Sequence, residues 1–261
     1  MAISKLYMLK CGGMVTPDAL IKCAPLTTKE YKKIINICMY ILEHPTEGLI
    51  LIDTGVCKET ASDEVMKDLA NLQPNILKQL PMIGKRADDV RHVVLSHLHF
   101  DHFGQSKFFP KAVFHVRQKE WEGLHADDLK GFHLLDRDFA DEVMRDCPEI
   151  MWDFIPDVPE YDIFGDGSVI SIDTKGHTPG HQSFIIRLQS GTEMFLTMDA
   201  AHCEEELFNE DYFIPSTWNI EKTRESIALL REYRERTGNP LYICHDAAQW
   251  YDVKKFPEYY D

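Results

Sequence analysis

The sequence is short of positive charge, of long apolar runs and of paired cysteines, and each shortage excludes a class of function. Its 28 lysines and arginines face 43 aspartates and glutamates, for a net charge of -15. No basic block relieves that balance, so a nucleic-acid partner, which needs a cationic face for the phosphate backbone, is not expected. The longest apolar run, around Ile34 to Leu42, is broken by Asn36 and is too short to span a bilayer. The residues after Met1 lack the apolar stretch and small-residue cleavage site of a signal peptide. The seven cysteines (Cys11, Cys23, Cys38, Cys57, Cys147, Cys203 and Cys244) show neither ligand pairs nor a disulfide framework. The expectation is a cytoplasmic protein with reduced thiols, without membrane contact, acting on a small molecule. An oligomer remains compatible with all of this.

What is present suits a folded enzyme. With 44% hydrophobic and 27% charged residues, a chain of 261 residues can bury a sizeable core, and residues 1–261 are expected to form one domain. Short β-branched and aromatic runs bounded by turns read as strands: Leu49–Ile52, Val93–Leu95, Ala112–Phe114, Val169–Ile172, Phe184–Ile186, Met194–Thr197 and Leu241–Ile243. Phe164-Gly165-Asp166-Gly167-Ser168 supplies a tight turn before one of them. Two stretches carry helical spacing, Glu59 to Leu72 and Ile220 to Arg236. The second has Asn219 as N-cap, Ile220, Ile227, Leu230 and Tyr233 towards one face, and Gly238-Asn239-Pro240 as its stop. Ala126 to Phe154 reads as mixed and mainly helical. Strands with helices between them predict a layered α/β fold.

The chemistry is concentrated in His97-Leu98-His99-Phe100-Asp101-His102, directly after an expected strand. Three imidazoles and a carboxylate within six residues at a strand end can divide between two cations, since zinc accepts neutral imidazole nitrogen and carboxylate oxygen. His177, Asp199 and His245 each follow or close a later strand and complete two coordination shells. Asp53, before Thr54-Gly55, is placed to orient a ligand imidazole through its free N–H. His181 reads as structural. His44, His92, His115, His125 and His133 have no partner spacing and read as ordinary residues.

These pieces resemble the metallo-β-lactamase superfamily, and within it the N-acyl-homoserine lactonases. The resemblance is carried by Leu51-Ile52-Asp53-Thr54-Gly55, Ser96 to His102, His177-Thr178-Pro179-Gly180-His181-Gln182-Ser183, Met198-Asp199-Ala200-Ala201, His245-Asp246 and Phe256-Pro257-Glu258-Tyr259. It implies a four-layer αβ/βα sandwich with a site for two divalent metal ions, zinc being the expected one, between two sheets. It implies one metal on His97, His99 and His177, the other on Asp101, His102 and His245, and Asp199 and a hydroxide between them. The implied activity is quorum-quenching hydrolysis of a lactone ring by that hydroxide, with Asp101 passing a proton to the leaving alkoxide. One position departs from the family: three residues after the bridging aspartate, where a tyrosine contacts substrate, stands His202. A histidine there can donate a hydrogen bond to substrate or approach the metal, and the expectation is the first. Other carbonyl substrates, such as a thioester or a cyclic amide, share the ligand set. A mononuclear-iron, persulfide dioxygenase-like oxidoreductase shares the fold.

Overall fold

The computed structural model describes residues 1–16, 33–56, 75–127, 134–209 and 217–261. Two sheets face one another. The first holds β1 (Lys5–Thr16), β2 (Lys33–His44), β3 (Gly48–Ile52), β4 (Val90–Val94), β5 (Val113–Arg117) and β6 (Met151–Ile155) in that spatial order. Pairing is antiparallel from β1 to β3 and parallel from β3 to β6. The second holds β7 (Glu160–Asp162), β8 (Val169–Asp173), β9 (Gln182–Arg187), β10 (Glu193–Leu196) and β11 (Leu241–Tyr242), adjacent in sequence order. It is antiparallel except between β10 and β11. Among the described residues the α-helices are α1 (Ile76–Gln79), α2 (Phe100–Phe103), α3 (Gln118–Leu124), α4 (Leu134–Asp146) and α5 (Ile220–Thr237).

Strand alternation produces the layers. In β2, Ile37, Met39 and Ile41 join a cluster with Leu124 of α3 and Phe139, Ala140 and Val143 of α4. Their neighbours Cys38, Tyr40 and Leu42 point the other way, to a cluster shared with Phe184, Ile186, Met194 and Leu196 of the second sheet. On that sheet's far face, Ile185 and Phe195 meet Ile227, Leu230 and Tyr233 of α5. Helix, sheet, sheet and helix therefore stack around three apolar layers, which is the expected four-layer αβ/βα architecture. Each fully buried Leu, Ile or Phe contributes about 1.5–3 kcal/mol to it.

All seven expected strands overlap observed ones, with ends displaced by a few residues. The apolar run near Ile34 to Leu42 falls within β2, and its Asn36 to Leu42 part lacks polar alternation because both faces are buried. Ala126 to Phe154 was expected to be mainly helical; helix α4 is there, but β6 closes the segment as an edge strand. Exposure of Met151 and Phe154 blurs the strand pattern there. Helix α5 starts at its expected cap, where Asn219 accepts from the Lys222 amide, and stops at Gly238 in a left-handed conformation. Ile220, expected on its buried face, is instead 46% exposed. The expected helix over Glu59 to Leu72 lies outside the described residues.

Candidate metal centre

The loop leaving β4 turns into α2 over residues 96–103, and its amides alternate with its metal-type side chains. The Ser96 amide donates to Asp53 Oδ1 at 2.7 Å and the Ser96 hydroxyl to Asp53 Oδ2 at 2.7 Å. The same Oδ2 accepts from His102 Nδ1 at 2.6 Å. Asp53 directly follows β3, at φ 58, and is wholly buried. A non-glycine residue in that conformation is sparsely populated, and here the surrounding hydrogen bonds hold it.

Around this loop the remaining expected ligands converge. His177 Nε2 lies 2.9 Å from His99 Nδ1, and the His97 ring packs at 4.5 Å from His99 and 4.9 Å from His177. Asp199 sits in a short turn after β10. Its Oδ2 is 3.9 Å from His97 Nε2, 3.4 Å from His177 Nε2 and 3.1 Å from His245 Nε2. Its Oδ1 is 3.2 Å from His102 Nε2. Asp101 Oδ2 reaches His102 Nε2 at 3.7 Å and His245 Nε2 at 3.8 Å. The central carboxylate thus touches both groups of imidazoles.

The donor atoms fit cations. His97, His102, His202 and His245 each use Nδ1 for support, against Ser96, Asp53, Glu206 and the Asn36 carbonyl in turn. Their Nε2 atoms are thereby aimed inward. No hydrogen bond of normal geometry reaches Nε2 of His97, His102 or His202, or Nδ1 of His177, although all four atoms are buried. Orphaned buried nitrogens that converge on a carboxylate are costly unless a cation accepts their lone pairs. The ligand atoms of His97, His99 and His177 lie close enough together to share one ion, and those of His102, Asp199, Cys244 and His245 to share another.

Charge in the cluster is unevenly held. Burial pushes the His97 and His177 imidazoles well below their ordinary pKa, and neighbouring histidines add to it. Burial opposes the charge on His102 and His245 too, but Asp199 overrides it and holds both well above the ordinary value. At His202 burial is overridden by Glu206 and Asp199, which raise it to about 10.

The structure brings all seven expected ligands together and adds details the sequence did not signal. His202 was expected to serve substrate; its Nε2 is 3.3 Å from Asp199 Oδ2, and it groups with His177 and Asp199. Its side chain is 14% exposed, against 0–3% for His97, His102, His177 and His245, so it stands at the mouth of the cluster. Cys244 Sγ lies 3.1 Å from Asp199 Oδ1, a contact no spacing rule indicates. Glu206, the support of His202, lay in an acidic run with no distinguishing mark. His181, read as structural, accepts the Asp199 amide at Nε2 and contacts Thr174 through Nδ1. Trp152 packs with Phe103, Phe114 and Trp121, away from the ligand atoms. From the sequence, Met14 to Tyr31 and Ala126 to Phe154 are expected to flank the cleft and set specificity; residues 17–31 of the first and Phe132 of the second lie outside the described residues.

Known proteins share both sequence and fold. The sequence model of the Metallo-beta-lactamase superfamily matches residues 37–245. The chain is 34% identical to the N-acyl homoserine lactonase AttM of Rhizobium johnstonii, over 98% of each chain. It is 28% identical to the N-acyl homoserine lactonase AiiA of Bacillus thuringiensis subsp. kurstaki, over 99% of this chain and 100% of the other. A solved N-acyl homoserine lactone hydrolase, with the product N-hexanoyl-L-homoserine bound at its catalytic metal center, superposes with a TM-score of 0.77. It is 25% identical, with both chains fully covered.

Proposed function

Because the chain belongs to the metallo-beta-lactamase superfamily, in the branch of its N-acyl homoserine lactonases, we propose that it is a two-metal hydrolase that opens lactone rings, N-acyl-homoserine lactones foremost. The observation that carries this reading is the convergence of orphaned buried imidazole nitrogens on Asp199. His97, His99 and His177 would hold one divalent ion, Asp101, His102 and His245 the other, with Asp199 shared. The nitrogen and oxygen donors suit zinc. Such a pair, when bound, polarises a carbonyl oxygen and lowers the pKa of water.

The chain's own groups supply the rest. Asp101 and His202 both keep some contact with solvent, their side chains 8% and 14% exposed. Asp101 takes up a proton released by the attacking water and hands it to the departing ring oxygen, since an alkoxide leaves poorly at neutral pH. His202, with Nδ1 held by Glu206, directs Nε2 toward the developing charge. Glu206 also accepts the His202 backbone amide, so one buried carboxylate fixes both the ring and its peptide.

A quorum-quenching role and a cytoplasmic location complete the proposal. The thiols of Cys38, Cys147 and Cys244 are unbridged, in keeping with a reducing compartment. Among the described residues no helix is long and apolar enough to cross a membrane.

The test combines elemental analysis with a pH-stat assay on acyl-homoserine lactones, other γ-lactones, thioesters and cyclic amides. The expected result is two ions per chain and ring opening of the lactones. Asp101→Asn should retain metal and lose rate, and His202→Ala should retain both ions and lose turnover by about 10- to 1000-fold. A fully loaded protein that opens no lactone overturns the substrate class, and loss of an ion in His202→Ala makes His202 a ligand.

A further inference from the structure

Each residue between the side chains of the ligand loop gives its backbone N–H to a buried carboxylate from another element. Ser96 donates to Asp53 at 2.7 Å, Leu98 to Glu120 Oε1 at 3.0 Å and Phe100 to Asp136 Oδ1 at 2.9 Å. Glu120, on α3, does more than the other two. Its second oxygen, Oε2, accepts the Thr178 hydroxyl at 2.6 Å and the Gly180 amide at 3.0 Å. One carboxylate, 2% exposed, therefore ties the loop of His97 and His99 to the loop of His177. The second loop is built to reach it: a Cβ on Gly180 would lie 2.1 Å from the Glu120 backbone nitrogen, so only glycine allows the approach.

We infer that Glu120 is the positioning residue for the three-imidazole half of the centre, setting the cation affinity of His97, His99 and His177 without touching the ion. The inference rests on the two-metal reading above. The other half is held by different groups: His102 by Asp53, and His245 by the Asn36 carbonyl at 2.6 Å. A carboxylate is needed at Glu120 because both oxygens accept. In a glutamine, one of the two loops would face the amide NH2 with an N–H of its own, and that backbone donor would be left buried and unpaired. The imidazoles on the released loop then lose their common geometry.

The experiment is zinc titration against a chromophoric chelator, resolving two dissociation constants, with cadmium NMR of the loaded protein to show which half is affected. The chelator-stripped chains are melted alongside. In Glu120→Gln the affinity of the three-imidazole half should fall by about 10- to 100-fold, the usual cost of removing a ligand's support, while the other stays within about threefold. Thr178→Val, which removes one donor and leaves the carboxylate, should weaken the same half by less, and it serves if Glu120→Gln does not fold. Glu122→Gln, on the exposed face of the same helix, should change neither. Unchanged affinities in Glu120→Gln overturn the inference. Equal weakening of both halves with a lowered melting point also overturns it, because that is a general structural role. Wild-type protein that takes up fewer than two zinc ions removes the two-metal reading itself, and this inference with it.

Discussion

Two histidine clusters flank β4, and only one is built to hold cations. At the middle of the strand, His92 Nδ1 lies 3.0 Å from His115 Nε2, about as near as His99 and His177 lie to each other. His115 Nδ1 meets Asp153 at 2.8 Å, and His92 Nε2 faces Glu47 at 3.7 Å. His44 meets Asp166 at 2.8 Å through Nε2 and accepts the Thr46 and Glu47 amides at Nδ1. Phe164 packs against all three rings. Carboxylates here sit outside the imidazoles and pair with them one by one. In the candidate centre the carboxylate is inside, and several ring nitrogens around it have no hydrogen-bond partner. Density of histidine does not make a metal site; convergence of unsatisfied donors does.

The largest effect should come from removing the inner carboxylate. Asp199→Ala takes away the anion shared by both groups of imidazoles, and cations held side by side repel without it. Metal content and lactone opening should both collapse, by more than the roughly 10- to 100-fold that loss of a supporting residue costs. Asp153→Asn, the matching change in the second cluster, should leave both unaltered. Elemental analysis and the pH-stat assay on the pair decide the point. A loss of bound metal in Asp153→Asn would erase the distinction between the clusters.

An intermediate effect is expected at Asp53, which orients a ligand from outside. Asp53→Asn keeps an oxygen for either the Ser96 amide or the His102 ring, but not both contacts and the charge. Zinc affinity should drop by about 10- to 100-fold, chiefly for the half containing His102. Chelator competition measures it. Because Glu120→Gln is expected to weaken the opposite half, the two variants should divide the metal pair between them. Identical profiles would mean that the loop moves as one body.

What could be read from the chain follows the same division. His97, His99, Asp101 and His102 lie within six residues, so their chemistry is visible without a fold. His177, Asp199 and His245 were recoverable because each stands at a strand end, where period-two burial stops. Glu120, Glu206 and Asp136 were not, because each is an ordinary acidic residue in a helical or acidic stretch. Their roles arise from backbone amides brought to them by tertiary packing. Cys244 was hidden for a related reason: a lone cysteine reads as a small buried hydrophobe, and its contact with Asp199 depends on how β10 and β11 pair. In the fold, β6 escaped because an edge strand with exposed Met151 and Phe154 has no clean apolar face.

The smallest expected effect belongs to the second cluster and appears as pH dependence of stability. Burial, followed by the nearby His115, lowers the His92 pKa from 6.5 to about 4. Glu47 opposes that shift, and Arg91 and His44 reinforce it. Asp153 and Asp166 face the cluster through His115 and His44. The folded chain therefore refuses a proton that the unfolded chain accepts. Stability from this source is complete above about pH 6.5 and declines as the pH falls toward 4, by on the order of 2 kcal/mol. His92→Gln, which does not titrate, should lose stability relative to wild type at neutral pH, and the gap should narrow by that amount between pH 6.5 and 4. Urea unfolding of both chains, stripped of metal by chelator so that the other cluster contributes equally, measures it. A gap that stays constant over this range would show that His92 takes up its proton in the folded state as readily as in the unfolded one. The Glu47–His92–His115–Asp153 chain would then take up a proton below about pH 6.5, as a solvent-exposed histidine does, and the contrast with the candidate centre would rest on hydrogen-bond satisfaction alone.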